Sequence, residues 1–192
     1  MRTESGASLG RAVRPGRLRQ GVVTALVAGA GIAVLGPAQA LAASTGGTST
    51  EVTTGKAGKA KLVDGKAIPP SDAPSRVVNA IDAANKIVKG KGYCLGGGHG
   101  SWNSKCYDCS GTVSFALRGA KMVKSPMPSG SYTKWGDKGK GEWITVFANG
   151  GHMYAVIAGL RLDTSNTEGA GPGWSKEMSS KRGYKIRHYR NY

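Results

Sequence analysis

Three cysteines stand in the middle of this 192-residue chain, at positions 94, 106 and 109. The last of them, Cys109, lies where a glycine-rich segment gives way to an apolar pattern with helical spacing. A cysteine in the first turn of a helix faces the positive end of the helix dipole, which favours the thiolate over the thiol. Because the thiolate is the nucleophilic form, this position predicts the nucleophile of a cysteine hydrolase. The alternative, from position alone, is a small buried residue that packs at a helix start.

A nucleophilic thiol needs a base, and the chain has three histidines. His152 follows two glycines and opens the apolar segment 153–158, which has the composition of a strand. A histidine at the mouth of a strand is able to point its ring at the N-terminus of a neighbouring helix, so we expect His152 to be the base. The alternative is a half-exposed strand histidine. His99, in the glycine-rich segment, and His188 are expected to have structural or surface roles, with substrate contact as the alternative.

A third group is needed to orient the imidazole, and Asp163 is the candidate. It lies eleven residues after His152, on the strand that returns from a hairpin. If the turn is centred between residues 158 and 159, Asp163 faces Tyr154 and becomes a diagonal neighbour of His152 on one face of the sheet. A slip of one residue would place Asp163 on the other face and leave Thr164 or Asn166 as the candidates.

These side chains must be positioned by two helices and an antiparallel sheet. One helix is predicted from Ser75 and a second from Cys109 to Ala120, because apolar residues recur there at helical spacing. Strands are predicted at 143–147, 153–158, 160–164 and 184–189, and residues 165–175 read as a glycine-rich loop. Helices followed by antiparallel strands indicate an α+β domain. The predicted buried helix positions are Val77, Ile81, Ala84 and Val88, then Val113, Ala116, Leu117 and Ala120.

The first 40 residues have the features of a secretory signal peptide. Residues 1–20 carry five arginines and one acid, residues 21–35 are apolar and uncharged, and an Ala-x-Ala site follows at residues 38–40. The apolar run is too short for a spanning helix, which needs roughly 20 residues. We expect cleavage after Ala40 or Ala43, a flexible leader over residues 41–74 and a single domain over residues 75–192. The mature protein is therefore predicted to be extracellular, without a membrane span.

The chain is strongly basic, with 27 Lys and Arg residues against 11 Asp and Glu, a net charge of +16. Such a protein is attracted to polyanions. For a secreted protein the polyanions are wall polymers or a membrane surface, whereas a nucleic-acid partner is not expected. No internal repeat is visible, and we expect a monomer.

An ordered set of motifs connects these candidates to a known family. Tyr93-x-x-Gly-Gly comes first, then Asp-Cys-Ser-Gly at residues 108–111, then a Gly-His pair that opens a strand, and finally a polar residue after the hairpin. This set, spread over about residues 75–190, resembles the NlpC-type cell-wall cysteine peptidases. The resemblance implies a papain-like fold, with N-terminal helices packed on an antiparallel β-sheet.

The resemblance also implies roles. In that family the cysteine attacks, a histidine is the base, a third polar group orients the histidine, and the tyrosine lines the site. These roles fall on Cys109, His152, Asp163 and Tyr93, and the accompanying motif positions are Asp108, Ser110 and Gly111. The implied activity is cleavage of peptidoglycan stem peptides, often at the D-glutamyl–diaminopimelate bond, without a metal or other cofactor. Two features depart from the family: an Asp at the third position, where His, Asn or Gln is more usual, and a different strand at residues 142–147.

An odd number of cysteines in a secreted protein leaves one thiol over. Of the three pairings, only Cys94 with Cys106 spares the nucleophile in an oxidising compartment, so this disulfide is predicted. The alternative is that both cysteines are unpaired.

Two other functions are kept as alternatives. Cys94, His99, Cys106 and Cys109 have the residue types of a structural zinc site in a small nucleic-acid-binding module, although their spacing is unusual and the signal peptide opposes it. The second alternative keeps the fold without catalysis, as a basic cell-wall-binding protein.

Overall fold

The computed structural model describes residues 57–165 and 171–192, so the predicted signal peptide and residues 41–56 of the predicted leader lie outside the described residues. Two small strand pairs are present: β1 (Lys61–Val63) with β2 (Lys66–Ile68), and β3 (Gly92–Tyr93) with β4 (Cys106–Tyr107). The helices of this part of the chain are α1 (Ser75–Asn85), α2 (Cys109–Gly119) and the short α3 (Ser129–Tyr132).

The remaining described strands form one six-stranded sheet. They are β5 (Asp137–Lys138), β6 (Ile144–Ala148), β7 (Met153–Ile157), β8 (Leu160–Asp163), β9 (Gly173–Ser175) and β10 (Lys185–His188). The order across the sheet is β5-β10-β6-β7-β8-β9, and every neighbouring pair is antiparallel. The prediction of a mixed α and β domain with an antiparallel sheet is thus confirmed.

Helices α1 and α2 form because their apolar residues line one side of each helix. The eight positions predicted to be buried are all buried in the structure, although Val88 lies beyond the end of α1. Gly119, at the end of α2, comes so close to α1 that a Cβ there would lie 2.5 Å from the Cβ of Ala83. All eight residues belong to the same hydrophobic cluster as buried residues of β6, β7 and β8; Leu117 of α2 and Val146 of β6 are two members of it.

The hairpin between β7 and β8 fixes the register on which the Asp163 prediction depends. Its turn residues, Ala158 and Gly159, both have left-handed backbone angles (φ +45° and +81°), the conformation of a two-residue hairpin loop. Ile157 pairs with Leu160, and Ala155 pairs with Leu162. The turn is therefore centred where the register hypothesis required it.

The folded unit begins earlier than the sequence indicated. Residues 57–74, assigned above to the leader, include the β1–β2 hairpin, and its Ala60 amide donates to the carbonyl of Ala158 at 2.8 Å. The Asn85 side chain bonds both backbone groups of the buried Ala67, at 2.8 and 3.0 Å. The Lys- and Gly-rich composition concealed this hairpin because its partners come from α1 and from the β7–β8 turn, both distant in sequence.

Strand β9 is a second departure, since residues 165–175 were expected to form a loop. Its residues pair with β8, Leu162 opposite Trp174 and Asp163 opposite Gly173. A three-residue strand has no periodicity to detect, and it exists because β8 offers a free edge. No helix among the described residues is long and apolar enough to cross a bilayer.

Candidate active site

Cys109 is the first residue of α2, and the residue before it caps the helix. The Asp108 carboxylate accepts a hydrogen bond from the Gly111 amide at 2.6 Å through Oδ1, and from the Gly96 amide at 3.0 Å through Oδ2. An aspartate at this position satisfies amides that have no partner within the helix. Asp108 therefore fixes both the start of α2 and the preceding glycine-rich loop, with Cys109 buried between them and 9 % exposed.

Gly111 has a steric reason for its place in the motif. A Cβ at this position would lie 2.1 Å from the carbonyl oxygen of Gly97. Because this oxygen belongs to the backbone, no side-chain movement could relieve the clash. The same carbonyl accepts a hydrogen bond from the Asp108 amide at 3.1 Å. The glycine-rich loop thus packs directly on the first turn of α2 and holds the thiol in place.

The predicted disulfide between Cys94 and Cys106 is present, with Cα atoms 5.6 Å apart, and Cys109 is free. The bridge joins the neighbourhoods of β3 and β4, and Tyr93 pairs there with Tyr107, two residues before the thiol. Tyr93 is 46 % exposed, so its ring is accessible beside the segment that leads into α2. Since two of the four candidate zinc ligands are consumed by the bridge, the zinc alternative is excluded.

A tight loop places His152. The side-chain oxygen of Asn149 accepts hydrogen bonds from the amides of Gly151 and His152 at 2.9 and 2.8 Å. The Asn149 amide in turn donates to the His152 carbonyl at 2.9 Å. An Asn that bonds the backbone two and three residues later is a common turn device, and Asn followed by Gly-Gly was its signal in the sequence.

His152 connects the thiol to a carboxylate. Its Nε2 lies 3.0 Å from Oδ1 of Asp163, and its ring also hydrogen-bonds the side chain of Cys109. These contacts raise the pKa of His152 to about 10, with the Asp163 hydrogen bond as the largest cause and the Cys109 hydrogen bond next, against the opposing effect of burial. The raised pKa favours the protonated imidazole at neutral pH.

Asp163 is almost fully buried, at 1 % exposure. Its Oδ1 accepts hydrogen bonds from the amides of Thr164 and Ser165, at 2.7 and 3.2 Å, as well as the contact from His152. Thr164, one of the alternatives to Asp163, thus supports the carboxylate through its backbone. Asn166, the other alternative, lies outside the described residues.

Two tyrosines lie next to this pair, and the sequence analysis gave neither of them a role in the site. The ring of Tyr184 meets His152 edge-on at 6.4 Å and Tyr154 at 5.3 Å. Burial and the nearby charges of Asp163 and Cys109 raise the pKa of Tyr184, and burial is also the main reason that the pKa of Tyr154 rises to about 12. Tyr154 was detectable, because it follows His152 by two residues and shares its sheet face; nothing local marked Tyr184.

His99 lies on the opposite side of the motif, beside the helix cap. Its Nε2 is 3.1 Å from Oδ1 of Asp108 and 3.0 Å from Oγ of Ser110, and the ring is partly exposed. It therefore braces the residues on either side of Cys109. His188 is elsewhere on the sheet, where its Nδ1 lies 3.3 Å from the carbonyl of Gly139.

No family model and no curated protein matches this chain. Solved structures that resemble it include two mutated forms of the Resuscitation Promoting Factor Interacting protein RipA. One is 20% identical and covers 69% of each chain; the other is 19% identical and covers 72% of this chain and 71% of its own; both have a TM-score of 0.46. A third is Rv1477, described as a hypothetical invasion protein of Mycobacterium tuberculosis, 20% identical over 69% of each chain with a TM-score of 0.44.

RipA and Rv1477 belong to the NlpC/P60 family, the family whose motifs this chain resembles. An identity near 20% and a TM-score below 0.5 do not establish membership or function. The function of this protein is therefore inferred from the residues of its own site.

Proposed function

We propose that this protein is a secreted cysteine hydrolase that cleaves peptide bonds in peptidoglycan stem peptides. Cys109 is the nucleophile, His152 the general acid and base, and Asp163 the group that orients His152. The observation that carries the proposal is the contact of His152 with both a free thiol at a helix N-terminus and a buried carboxylate. A nucleophile that contacts a base, which in turn contacts an orienting group, is the arrangement used in covalent acyl-transfer catalysis.

The two ring nitrogens of His152 have separate tasks in this mechanism. Nε2 donates to Asp163 at 3.0 Å, which leaves Nδ1 for the thiol of Cys109. The resting enzyme is a thiolate–imidazolium pair, and the thiolate attacks the carbonyl carbon of the scissile amide. The Cys109 amide, in the first turn of α2, is placed to donate to the oxyanion that forms.

The bond to the leaving amine then breaks as the His152 imidazolium transfers its proton to the amine nitrogen. The products are a thioester on Cys109 and a free amine. Neutral His152 next takes a proton from water, whose oxygen attacks the thioester. Collapse of that intermediate releases a carboxylic acid product and restores the thiolate–imidazolium pair.

Three features support peptidoglycan as the substrate. The ordered motifs are those of the NlpC-type enzymes, the N-terminus has the features of a secretory signal, and the net charge of +12 that remains after removal of residues 1–40 (22 basic against 10 acidic residues) suits an anionic wall. The D-glutamyl–diaminopimelate bond is the specific site that the resemblance implies. Tyr93, which pairs with Tyr107 just before α2, and Tyr184, whose ring contacts His152, are the residues we assign to the walls of the substrate groove. The papain-like arrangement of α1 and α2 on the sheet, a metal-free mechanism and a monomeric enzyme belong to the same proposal.

The test is digestion of purified peptidoglycan followed by mass spectrometry of the released fragments. Wild-type protein should release stem-peptide fragments with a new amine terminus, whereas Cys109→Ala should release none and should still bind the wall. Intact wall after incubation with the wild type, together with retained binding, would establish the basic wall-binding alternative instead.

A further inference from the structure

One arginine is buried inside the sheet. Arg161, in the middle of β8, is 1 % exposed and lies between Val156 of β7 and Ser175 of β9. An arginine in this position is costly unless its charge is compensated, because the guanidinium loses its hydration. The compensation has to come from groups on the same face of the sheet.

Asp163 is that group. It lies two residues after Arg161, which places both side chains on one face of β8. Arg161 Nε is 3.7 Å from Asp163 Oδ2, whereas Oδ1 of the same carboxylate receives His152. Arg161 Nε and Asp163 Oδ2 are both buried, and neither has a hydrogen-bond partner within the described residues, so the contact between them is an ion pair and not a hydrogen bond. A second nitrogen, Nη2, donates to the carbonyl of Ser165 at 3.4 Å.

We propose that Arg161 is a positioning residue of the catalytic centre, whose charge holds the Asp163 carboxylate in place and thereby keeps His152 aligned with the thiol. This inference rests on the proposed function. The two oxygens of the Asp163 carboxylate then have separate partners: Oδ1 bonds His152, and Oδ2 pairs with Arg161.

The charges around Asp163 explain why an arginine suits this position. His152, just before β7, bonds it directly, Tyr154 faces it from β7 and Tyr184 from the segment before β10, while Cys109 of α2 contacts His152. His152 gives up its proton during turnover, so it cannot hold the carboxylate at every step. A guanidinium stays charged at every pH at which the enzyme could work. Without it, a buried carboxyl takes up a proton more readily and no longer supports the imidazolium.

The first experiment compares Arg161→Met, Arg161→Lys and a control, Arg187→Met. Arg187 is also a sheet arginine, on β10, and its Nε donates to the Thr133 carbonyl at 2.7 Å. The kcat and KM of stem-peptide cleavage are measured from acid to alkaline pH, with thermal unfolding of each variant. Arg161→Met should lower kcat about 10- to 100-fold, the range seen when outer partners of metal ligands are removed, with little change in KM.

The acid limb of the kcat profile is the decisive readout. It should move to higher pH by about one unit or more in Arg161→Met, because Asp163 protonates more easily there, and should stay near its wild-type position in Arg161→Lys. Arg187→Met should leave the limb in place. An unmoved limb in a folded Arg161→Met protein would overturn the proposal.

A double-mutant cycle tests the same proposal if Arg161→Met folds poorly. In an Asp163→Asn background, adding Arg161→Met should lower kcat by less than about twofold, because the arginine acts through the carboxylate. The double variant should also unfold at a higher temperature than Asp163→Asn alone, which leaves a buried cation unpaired. Additive losses of kcat would show a merely structural arginine and reject the inference.

If the wild type cleaves no wall preparation, the proposed function fails, but the arrangement can still be tested without turnover. A carbon-13 NMR titration of the Asp163 carboxyl should show protonation at higher pH in Arg161→Met than in the wild type or Arg161→Lys. Equal titration in all three proteins would contradict the role given to Arg161.

Discussion

Two histidine–aspartate pairs lie on either side of Cys109, and they are almost identical in local geometry. On one side, His152 Nε2 lies 3.0 Å from Asp163 Oδ1; on the other, His99 Nε2 lies 3.1 Å from Asp108 Oδ1. Both histidines are partly exposed and both carboxylates are buried. Distance and burial alone would therefore nominate either pair as the catalytic one.

The pairs differ in what else each member touches. Asp108 caps α2 with Oδ1, through the Gly111 amide, and holds the glycine-rich loop with Oδ2, through the Gly96 amide, and His99 adds a contact to Ser110. The hydrogen bonds of the Asp108 carboxylate therefore fix the start of the helix and the loop before it.

Asp163 instead keeps one oxygen toward the buried Arg161, and its histidine hydrogen-bonds Cys109. What makes this pair a candidate for acid–base chemistry is therefore its additional neighbours, Cys109 on the histidine and Arg161 on the aspartate. The pair itself is equally suited to building a helix end.

The largest expected effect separates the two histidines. His152→Ala and Cys109→Ala should each lower kcat by about 10⁴-fold or more, and the two losses should not add, because the residues act as a unit. His99→Ala should stay within about tenfold of the wild-type kcat, with a loss of stability of about 1 kcal/mol. Steady-state cleavage of purified wall and thermal unfolding are the measurements. Equal loss of activity in His99→Ala and His152→Ala would erase the distinction between the pairs.

The two aspartates should also differ: replacement of Asp163 should mainly reduce activity, and replacement of Asp108 should mainly reduce stability. Asp163→Ala should lower kcat by about 10²- to 10⁴-fold, since the imidazolium loses its partner although water replaces part of its orienting effect. Asp108→Ala removes a helix cap and should lower the free energy of unfolding by about 1–2 kcal/mol. Denaturant unfolding beside kinetics measures both. An Asp108 variant that stayed fully stable yet inactive would assign Asp108 a chemical role.

The disulfide sharpens the comparison because it braces only the loop that carries His99. Cys94→Ser with Cys106→Ser should lower the free energy of unfolding by about 2–4 kcal/mol, through the greater freedom of the unfolded chain. The contact of His152 with Asp163 should persist, so the folded fraction should keep most of its kcat. Denaturation midpoints and active-site titration with a thiol reagent separate stability from activity. A folded but inactive double variant would show that the bridge shapes the site directly.

The last prediction concerns how stability and the alkylation of Cys109 vary with pH. This variation should require His152 and should not require His99. The folded-state pKa of His152 is raised from 6.5 to about 10, so its contribution to stability is complete below about pH 6.5 and is lost as pH rises toward 10. Alkylation of Cys109 should correspondingly persist at mildly acid pH, because the imidazolium is present there. Thermal unfolding and iodoacetamide rates across pH are the measurements. The dependence should vanish in His152→Gln and remain in His99→Gln; the reverse result would exchange the two histidines.

The candidate site could be anticipated from sequence where local rules suffice. Cys109 was predicted at a helix start because a glycine-rich segment gives way there to apolar residues at helical spacing. The position of Asp163 followed from the hairpin turn at residues 158–159, since strand side chains alternate between faces. In both places the relevant partners lie within a few residues or across one turn.

Other features had no local signal. Arg161 looked like an ordinary charged residue on a strand, but in the structure it is buried between β7 and β9. Tyr184 reaches His152 from a segment 32 residues away in the sequence. The hairpin at residues 61–68 read as part of a leader, because its Lys- and Gly-rich composition outweighed two short strands.

The sequence by itself therefore determined the chemical types, the helix that presents the thiol, the pairing of Cys94 with Cys106 and the face of the sheet that carries Asp163. The tertiary structure alone decided that Arg161 is buried beside Asp163, that Tyr184 meets His152 and that residues 61–68 join the fold. The physical reason is that caps, turns and strand alternation are set by neighbours along the chain. The environment of a charged group is set instead by every element that packs around it, and those elements are brought together only by the hydrophobic core.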